Sequence, residues 1–415
     1  MKKNVIVGQS GGPTAAINSS LAGVYRTAKD RGANKVYGML HGVQGLLEEK
    51  YIDLSDHIKT ELDAELLKRT PAAFLGSCRY KLPEIHEDKA LYEKIFGILD
   101  KLEIEAFIYI GGNDSMDTIK KLSDYAIITG HPTRFVGCPK TIDNDLALTD
   151  HTPGYGSAAK YIGTSMKEII RDSFCLEYPK GLVTIVEIMG RNAGWLTGAA
   201  ALAQGEDCEG PDMIYLPERP FDIIDFRDRV KALLEKKPSV VVALSEGICT
   251  EDGKYVCELG NSVDFVDAFG HKQLSGTAAY LANYIAGELG CKTRAIELST
   301  LQRAASHAAS RVDILEAYQV GGAAVKAADE GDSGKMVVLQ RLSDDPYQCG
   351  TEVKDVHKIA NDEKLVPENW VTPDGTYVTS EFISYVRPLI QGDVSPVMVD
   401  GIPRHLYTPK ELSEK

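Results

Sequence analysis

The sequence predicts an α/β protein built on mostly parallel sheets, and three observations carry that expectation. Short apolar runs rich in Val and Ile recur along the 415 residues; each ends in a glycine-rich or polar turn; several of those turns open into a helix-length pattern. Runs that are apolar throughout, rather than alternating, belong to strands buried on both faces, as parallel strands are. A chain of this length exceeds one ordinary core and suits two α/β domains.

The elements follow in order. Residues 4–7 read as a strand entering Gly8-Gln9-Ser10-Gly11-Gly12-Pro13, with a helix-like stretch over 14–31. Residues 106–110 enter Gly111-Gly112-Asn113-Asp114-Ser115, and a helical pattern runs on to 123. Residues 134–136 enter a short polar loop, 182–188 enter Met189-Gly190-Arg191, and 240–244 enter Ser245-Glu246-Gly247. In parallel sheets, ligands bind outside the carboxyl ends of the strands, where all these polar residues fall. Pro153 and Gly154 break the pattern and place a domain boundary near 152, giving expected domains at 1–152 and 153–326, with segments interleaving near 295–345. Residues 327–364 are polar and loop-rich. The tail from 366, with prolines at 367, 373, 388, 396, 403 and 409, is expected to wrap the surface, so that 327–415 reads as an extension packing on both domains.

Composition narrows the function. The net charge of −14 argues against a nucleic acid or an anionic membrane as partner, so an anionic substrate needs a local basic pocket. No apolar run approaches the roughly 20 residues of a membrane span, and the start has no signal-peptide pattern. The eight cysteines are scattered, without CxxC pairs or zinc spacing, and read as reduced thiols of a cytoplasmic protein.

The loops suggest phosphate chemistry. Gly11 and Gly12 before a helix offer backbone N–H groups to an anion, although neither a P-loop nor a dinucleotide fingerprint is present. Asn113 and Asp114 on the second glycine turn suit a divalent metal beside a phosphate. Most telling is Pro139-Lys140-Thr141-Ile142-Asp143-Asn144-Asp145: one carboxylate can take a proton from a hydroxyl attacking phosphorus, while the other faces a metal or the lysine.

These motifs resemble the phosphofructokinase family. The resemblance rests on Gly-Gly-Asn-Asp-Ser, Pro-Lys-Thr-Ile-Asp-Asn-Asp, Met-Gly-Arg and Ser-Glu-Gly in that order, with the N-terminal Gly-Gly turn and Phe74-Leu75-Gly76-Ser77-Cys78-Arg79. It spans residue 7 to about 303 and is looser beyond 300. It implies two Rossmann-like three-layer domains with the active site in the cleft between them. It also implies Asp143 as general base toward the C1 hydroxyl of fructose 6-phosphate, Thr141 positioning the moving phosphoryl group, and Asp145 holding Mg2+ or the base. Met189, Gly190 and Arg191 would hold sugar hydroxyls and the reacting phosphate, and Glu246 the sugar. Arg294 and Arg303 would grip the 6-phosphate, one of them reaching a neighbouring subunit's site, so the resemblance implies a homodimer or homotetramer with shared sites. Arg79 and Ile142 fall within the matching motifs.

Two positions address the phosphoryl donor. ATP-using relatives have glycine where Asp114 stands, leaving room for the α-phosphate; a carboxylate there fills the space and repels it. They commonly have glycine where Lys140 stands; an ammonium there neutralises an inorganic donor at the transition state. The expected donor is therefore pyrophosphate, of the family's pyrophosphate-dependent type. The alternatives are an ATP-dependent enzyme in which Asp114 and Lys140 simply pair, and a non-catalytic sugar- or nucleotide-binding protein. Three departures bear on the site. Asn113 stands where relatives have aspartate, so it can ligate Mg2+ without supplying charge. Thr300 stands where they have histidine or tyrosine, and Leu182 where they have arginine, which raises sedoheptulose 7-phosphate as a further acceptor.

Overall fold

The computed structural model describes residues 1, 3–260, 274–360 and 362–407. Among these, the larger sheet runs, edge to edge, Tyr347–Asp355, Lys335–Asp344, Arg134–Pro139, Ile104–Gly111, Asn4–Gln9, Val36–Met39, Tyr51–Asp53. Its inner pairs are parallel, and only the outermost strand at each edge runs antiparallel. The smaller sheet, Met213–Tyr215, Ser239–Ser245, Leu182–Ile188, Lys292–Glu297, is parallel throughout.

Side-chain alternation along each strand builds the layers. Val5 and Val7 join Ile108 and Ile110 in a core under the helices Ile17–Asp30 and Arg311–Glu330, while Ile6, Phe107 and Tyr109 face a second core under Lys89–Lys101 and Asn113–Thr129. The smaller sheet repeats the plan: Val240, Val242 and Leu244 face one core, Val241 and Ala243 the other. The helices Ile17–Asp30 and Arg311–Glu330 touch backbone to backbone. A Cβ at Gly23 would sit 2.1 Å from the Tyr318 carbonyl oxygen, and one at Gly321 2.0 Å from that of Ser20.

Beyond residue 297 the chain passes from the smaller sheet back to the larger one. Residues 311–330 and 335–355 return to the larger sheet, because Lys335 and Met336 pair in parallel with Val136 and Gly137. Rather than wrapping the surface, Val366, Val371, Val378, Phe382, Val386 and Leu389 are buried in the core of the smaller sheet, with Phe382 stacked on Trp195. All eight cysteines are free. Among the described residues, no helix is long and apolar enough to cross a membrane.

Candidate active site

The carboxyl edges of the two sheets face each other across a cavity of about 790 Å³. From the larger sheet it receives Ser10 to Thr14 after Gln9, Gly112 to Ser115 after Gly111, and Lys140 to Asp143 with Asp145 after Pro139. From the smaller sheet come Met189 to Ala193 after Ile188, and Glu246 after Ser245, while Arg303 enters on the short helix Leu301–Ala304.

Of the residues expected at the site, Gly11, Gly12, Arg79, Asn113, Asp114, Lys140, Thr141, Ile142, Asp143, Asp145, Met189, Gly190, Arg191, Glu246 and Arg303 all line this cavity. Arg294 and Thr300 do not. Arg294 lies mid-strand opposite Thr184, on the edge of the smaller sheet, and donates to Asp172 at 2.7 Å. Thr300 is exposed at the start of the helix that carries Arg303.

The glycine turn works differently from expectation. The helix begins only at Ile17, and the Gly11 N–H already donates to the Cys78 carbonyl at 3.1 Å. What the glycines supply is room for cations. At Gly11, whose φ is +76°, a Cβ would lie 3.3 Å from Lys140 Nζ; at Gly12 it would lie 3.4 Å from Arg303 Nη1. The second turn leads straight into the helix Asn113–Thr129, whose N-terminus favours an anion. The Ser10 and Ser115 hydroxyls, 2.5 Å apart, tie the two turns together.

Lys140 is only 2% exposed and donates to the Gly12 carbonyl at 2.7 Å. Burial pushes its ammonium down to about 8, against the favourable charges of Asp143 and Asp145. Thr141 holds the next turn: its hydroxyl accepts from the Asp143 N–H at 3.1 Å and donates to that carboxylate at 3.3 Å. Burial raises the Asp143 carboxyl, opposed by Lys140, Thr141, Arg191 and Arg303. Burial and then Asp143 push both Asp145 and Glu246 up to about 7. Asp143, Asp145 and Glu246, in a cavity also lined by Arg79, Lys81, Lys140, Arg191 and Arg303, can take up a proton while the cations neutralise phosphate charge in one place.

A divalent cation fits the oxygen donors present. Asn113 Oδ1 is buried without a hydrogen-bond partner while its Nδ2 donates to the Asp362 carbonyl, so a hard-oxygen acceptor stands ready on the same cavity wall set as Asp145.

Sequence reasoning missed Lys81, Asn192, Asp362 and Glu363, which also line the cavity. Lys81 and Asn192 flank motif residues and were open to detection by proximity. Asp362 and Glu363 carried no local signal.

The Phosphofructokinase family model matches residues 4–328. A pyrophosphate–fructose 6-phosphate 1-phosphotransferase of Xanthomonas campestris is 42% identical over 97% of this chain and 95% of its own. One of Halomonas elongata is 40% identical over 99% and 97%. Among solved structures, a pyrophosphate-dependent phosphofructokinase of Nitrosospira multiformis superposes with a TM-score of 0.88 at 35% identity, covering 98% of this chain and 96% of that one.

Proposed function

The chain belongs to the phosphofructokinase family, and from that premise we propose that it is the pyrophosphate-dependent enzyme, phosphorylating C1 of fructose 6-phosphate. The observation that carries the reading is the presence of Asp114, buried Lys140 and Asp143 on one cavity wall set, at the carboxyl edge of one sheet.

In the proposed reaction the C1 oxygen attacks the near phosphorus of pyrophosphate. Its proton passes to Asp143, the new O–P bond forms, the bridging P–O bond breaks, and phosphate leaves. Little covalent chemistry falls to the protein, so catalysis is positioning and charge neutralisation. Lys140 and Arg191 meet the charge on the transferred and leaving oxygens, and Thr141 orients the base. Met189, Gly190 and Glu246 hold the sugar, and Arg303 its 6-phosphate, for which a guanidinium fork is suited. Asn113 and Asp145 would hold Mg2+, which supplies charge neutralisation across the donor phosphates when bound.

The site is proposed to be shared in a homodimer or homotetramer. In support, Arg294 lies outside its own chain's cavity, while the resemblance assigns one phosphate-gripping arginine to a neighbouring subunit. As a near-reversible step the reaction would serve glycolysis or gluconeogenesis in the cytoplasm.

A panel crossing pyrophosphate and ATP with fructose 6-phosphate and sedoheptulose 7-phosphate tests the reading. The expected result is a kcat/KM for pyrophosphate at least about tenfold above that for ATP, a difference of roughly 1.4 kcal/mol in barrier. A tenfold preference for ATP would end the donor assignment.

The pH profile offers a second check. Lys140 acts as a cation, and its charge is present below about 8 and lost above it. Hence kcat/KM for pyrophosphate is expected to fall as pH rises through about 8. Lys140→Arg should shrink that limb, because a guanidinium stays charged throughout the range; Lys364, which burial also pushes down to about 8, still titrates there.

A further inference from the structure

The loop that bears Asp143 and Asp145 is held from behind by a segment far away in the chain. Lys364 Nζ donates to Asn144 Oδ1 at 3.3 Å, to the Thr149 carbonyl at 3.2 Å and to the Asp150 carbonyl at 2.7 Å. Its own N–H donates to the Asp145 carbonyl at 2.7 Å, and its carbonyl accepts from Trp195 Nε1 at 2.8 Å. Trp195 begins the helix that follows the Met189–Arg191 loop, and its ring lies 5.2 Å from the Lys364 ammonium. One residue thus joins the catalytic turn of the larger sheet to the sugar-side loop of the smaller one.

The turn is tied down by further contacts. Asn144 sits at φ +55°, in the left-handed region, which asparagine tolerates better than other non-glycine residues. Its Oδ1 also accepts from the Thr152 N–H, and its Nδ2 donates to the Tyr385 hydroxyl, which in turn donates to the Asp150 carbonyl. On either side of Lys364 the segment is pinned as well. Glu363 bridges to Leu146 and accepts from Asn192 Nδ2 at 3.0 and 3.2 Å, and the Asp362 carbonyl accepts from Asn113.

We propose that Lys364 is a positioning residue for phosphoryl transfer, setting the Asp143–Asp145 turn in register with the Met189–Arg191 loop. This rests on the function proposed above. Lys364 does not line the cavity; it acts through the backbone of residues 145, 149 and 150 and the side chain of Asn144. Misplacing catalytic groups by about 1 Å costs up to roughly 100-fold in rate.

The test compares Lys364→Met and Lys364→Arg with the unaltered protein, using pyrophosphate, Mg2+ and fructose 6-phosphate. Lys364→Met should lose kcat by roughly 30- to 100-fold while both KM values stay within about threefold. Calorimetric binding of fructose 6-phosphate should keep its full stoichiometry, which separates lost rate from lost folded protein. Lys364→Arg should recover most of the loss, since a guanidinium still donates to the same carbonyls. A Lys364→Met variant within about twofold of the original kcat, or one altered only in KM, overturns the proposal. If that variant does not fold, Lys364→Gln decides, because its shorter amide gives up the ammonium's contacts to Asn144, Thr149 and Asp150 while keeping a polar group in the site. A lower kcat at constant KM supports the role, and an unchanged kcat removes it. An unaltered protein inactive with pyrophosphate would instead refute the proposed function itself.

Discussion

Replacing Asp143 with asparagine is expected to lower kcat by about 10²–10⁴-fold while fructose 6-phosphate still binds. Asparagine keeps the shape and can still accept from Thr141, so the turn that the Thr141 hydroxyl organises should persist. What disappears is the group proposed to take the C1 proton. The charge change works in the opposite sense on binding. Asp143 is the leading carboxylate favouring the Lys140 charge, and it also faces Arg191 and Arg303. Without it the cavity is more positive, so affinity for pyrophosphate and for the sugar phosphate should hold or rise. Steady-state rates paired with calorimetric titration of each substrate measure both halves. A variant that retains turnover within about threefold would remove Asp143 from the role of base. One that loses rate only because it no longer binds sugar would make it a binding residue.

Much of this site was legible before the fold was known, for a physical reason. A parallel strand buried on both faces must be a continuous apolar run, and its ligand-facing residues must follow its carboxyl end. Residues 182–188 were read as a strand and are one, and Met189, Gly190 and Arg191 duly enter the cavity. The outer strands of the larger sheet were not legible. In Lys335–Asp344 only Met336 to Leu339 are buried, and Tyr347–Asp355 has no fully buried residue, so the pair reads as polar loop.

Long-range partners escaped for a different reason. Asp362, Glu363 and Lys364 look like solvated surface in sequence, and Lys364 meets Asn144 across a separation of 220 residues. The tail misled because its prolines punctuate it without preventing Phe382 and Leu389 from filling the core. Gly11 and Gly12 line the cavity, but the Gly11 N–H is not free for an anion, since Cys78 takes it, and nothing local reveals that. Arg294 was carried over from the family pattern, and the pattern does not say in which chain's cavity a residue will act.

The donor assignment leads to the other large effect: Asp114→Gly combined with Lys140→Gly should shift the ratio of ATP to pyrophosphate kcat/KM by roughly 10⁴-fold toward ATP. The two changes act on different substrates. A carboxylate about 6 Å from an α-phosphate charge costs about 3 kcal/mol at an effective dielectric of 20, so removing it should raise ATP use by roughly 100-fold. Losing a preorganised cation at the developing charge should lower pyrophosphate turnover by about 10²–10³-fold. Asp143 amplifies the second effect, because Lys140 is the strongest charge holding that carboxyl down against burial. The single variants separate these contributions. Asp114→Gly alone should gain ATP activity with pyrophosphate activity nearly kept, and Lys140→Gly alone should lose pyrophosphate activity. If the two side chains merely paired in an ATP-using enzyme, each single variant would instead impair ATP turnover, and the double-mutant cycle would show strong coupling. The lysine's surroundings favour the first outcome: its ammonium donates to the Gly12 carbonyl, and the carboxylates that sustain its charge are Asp143 and Asp145, on its own loop.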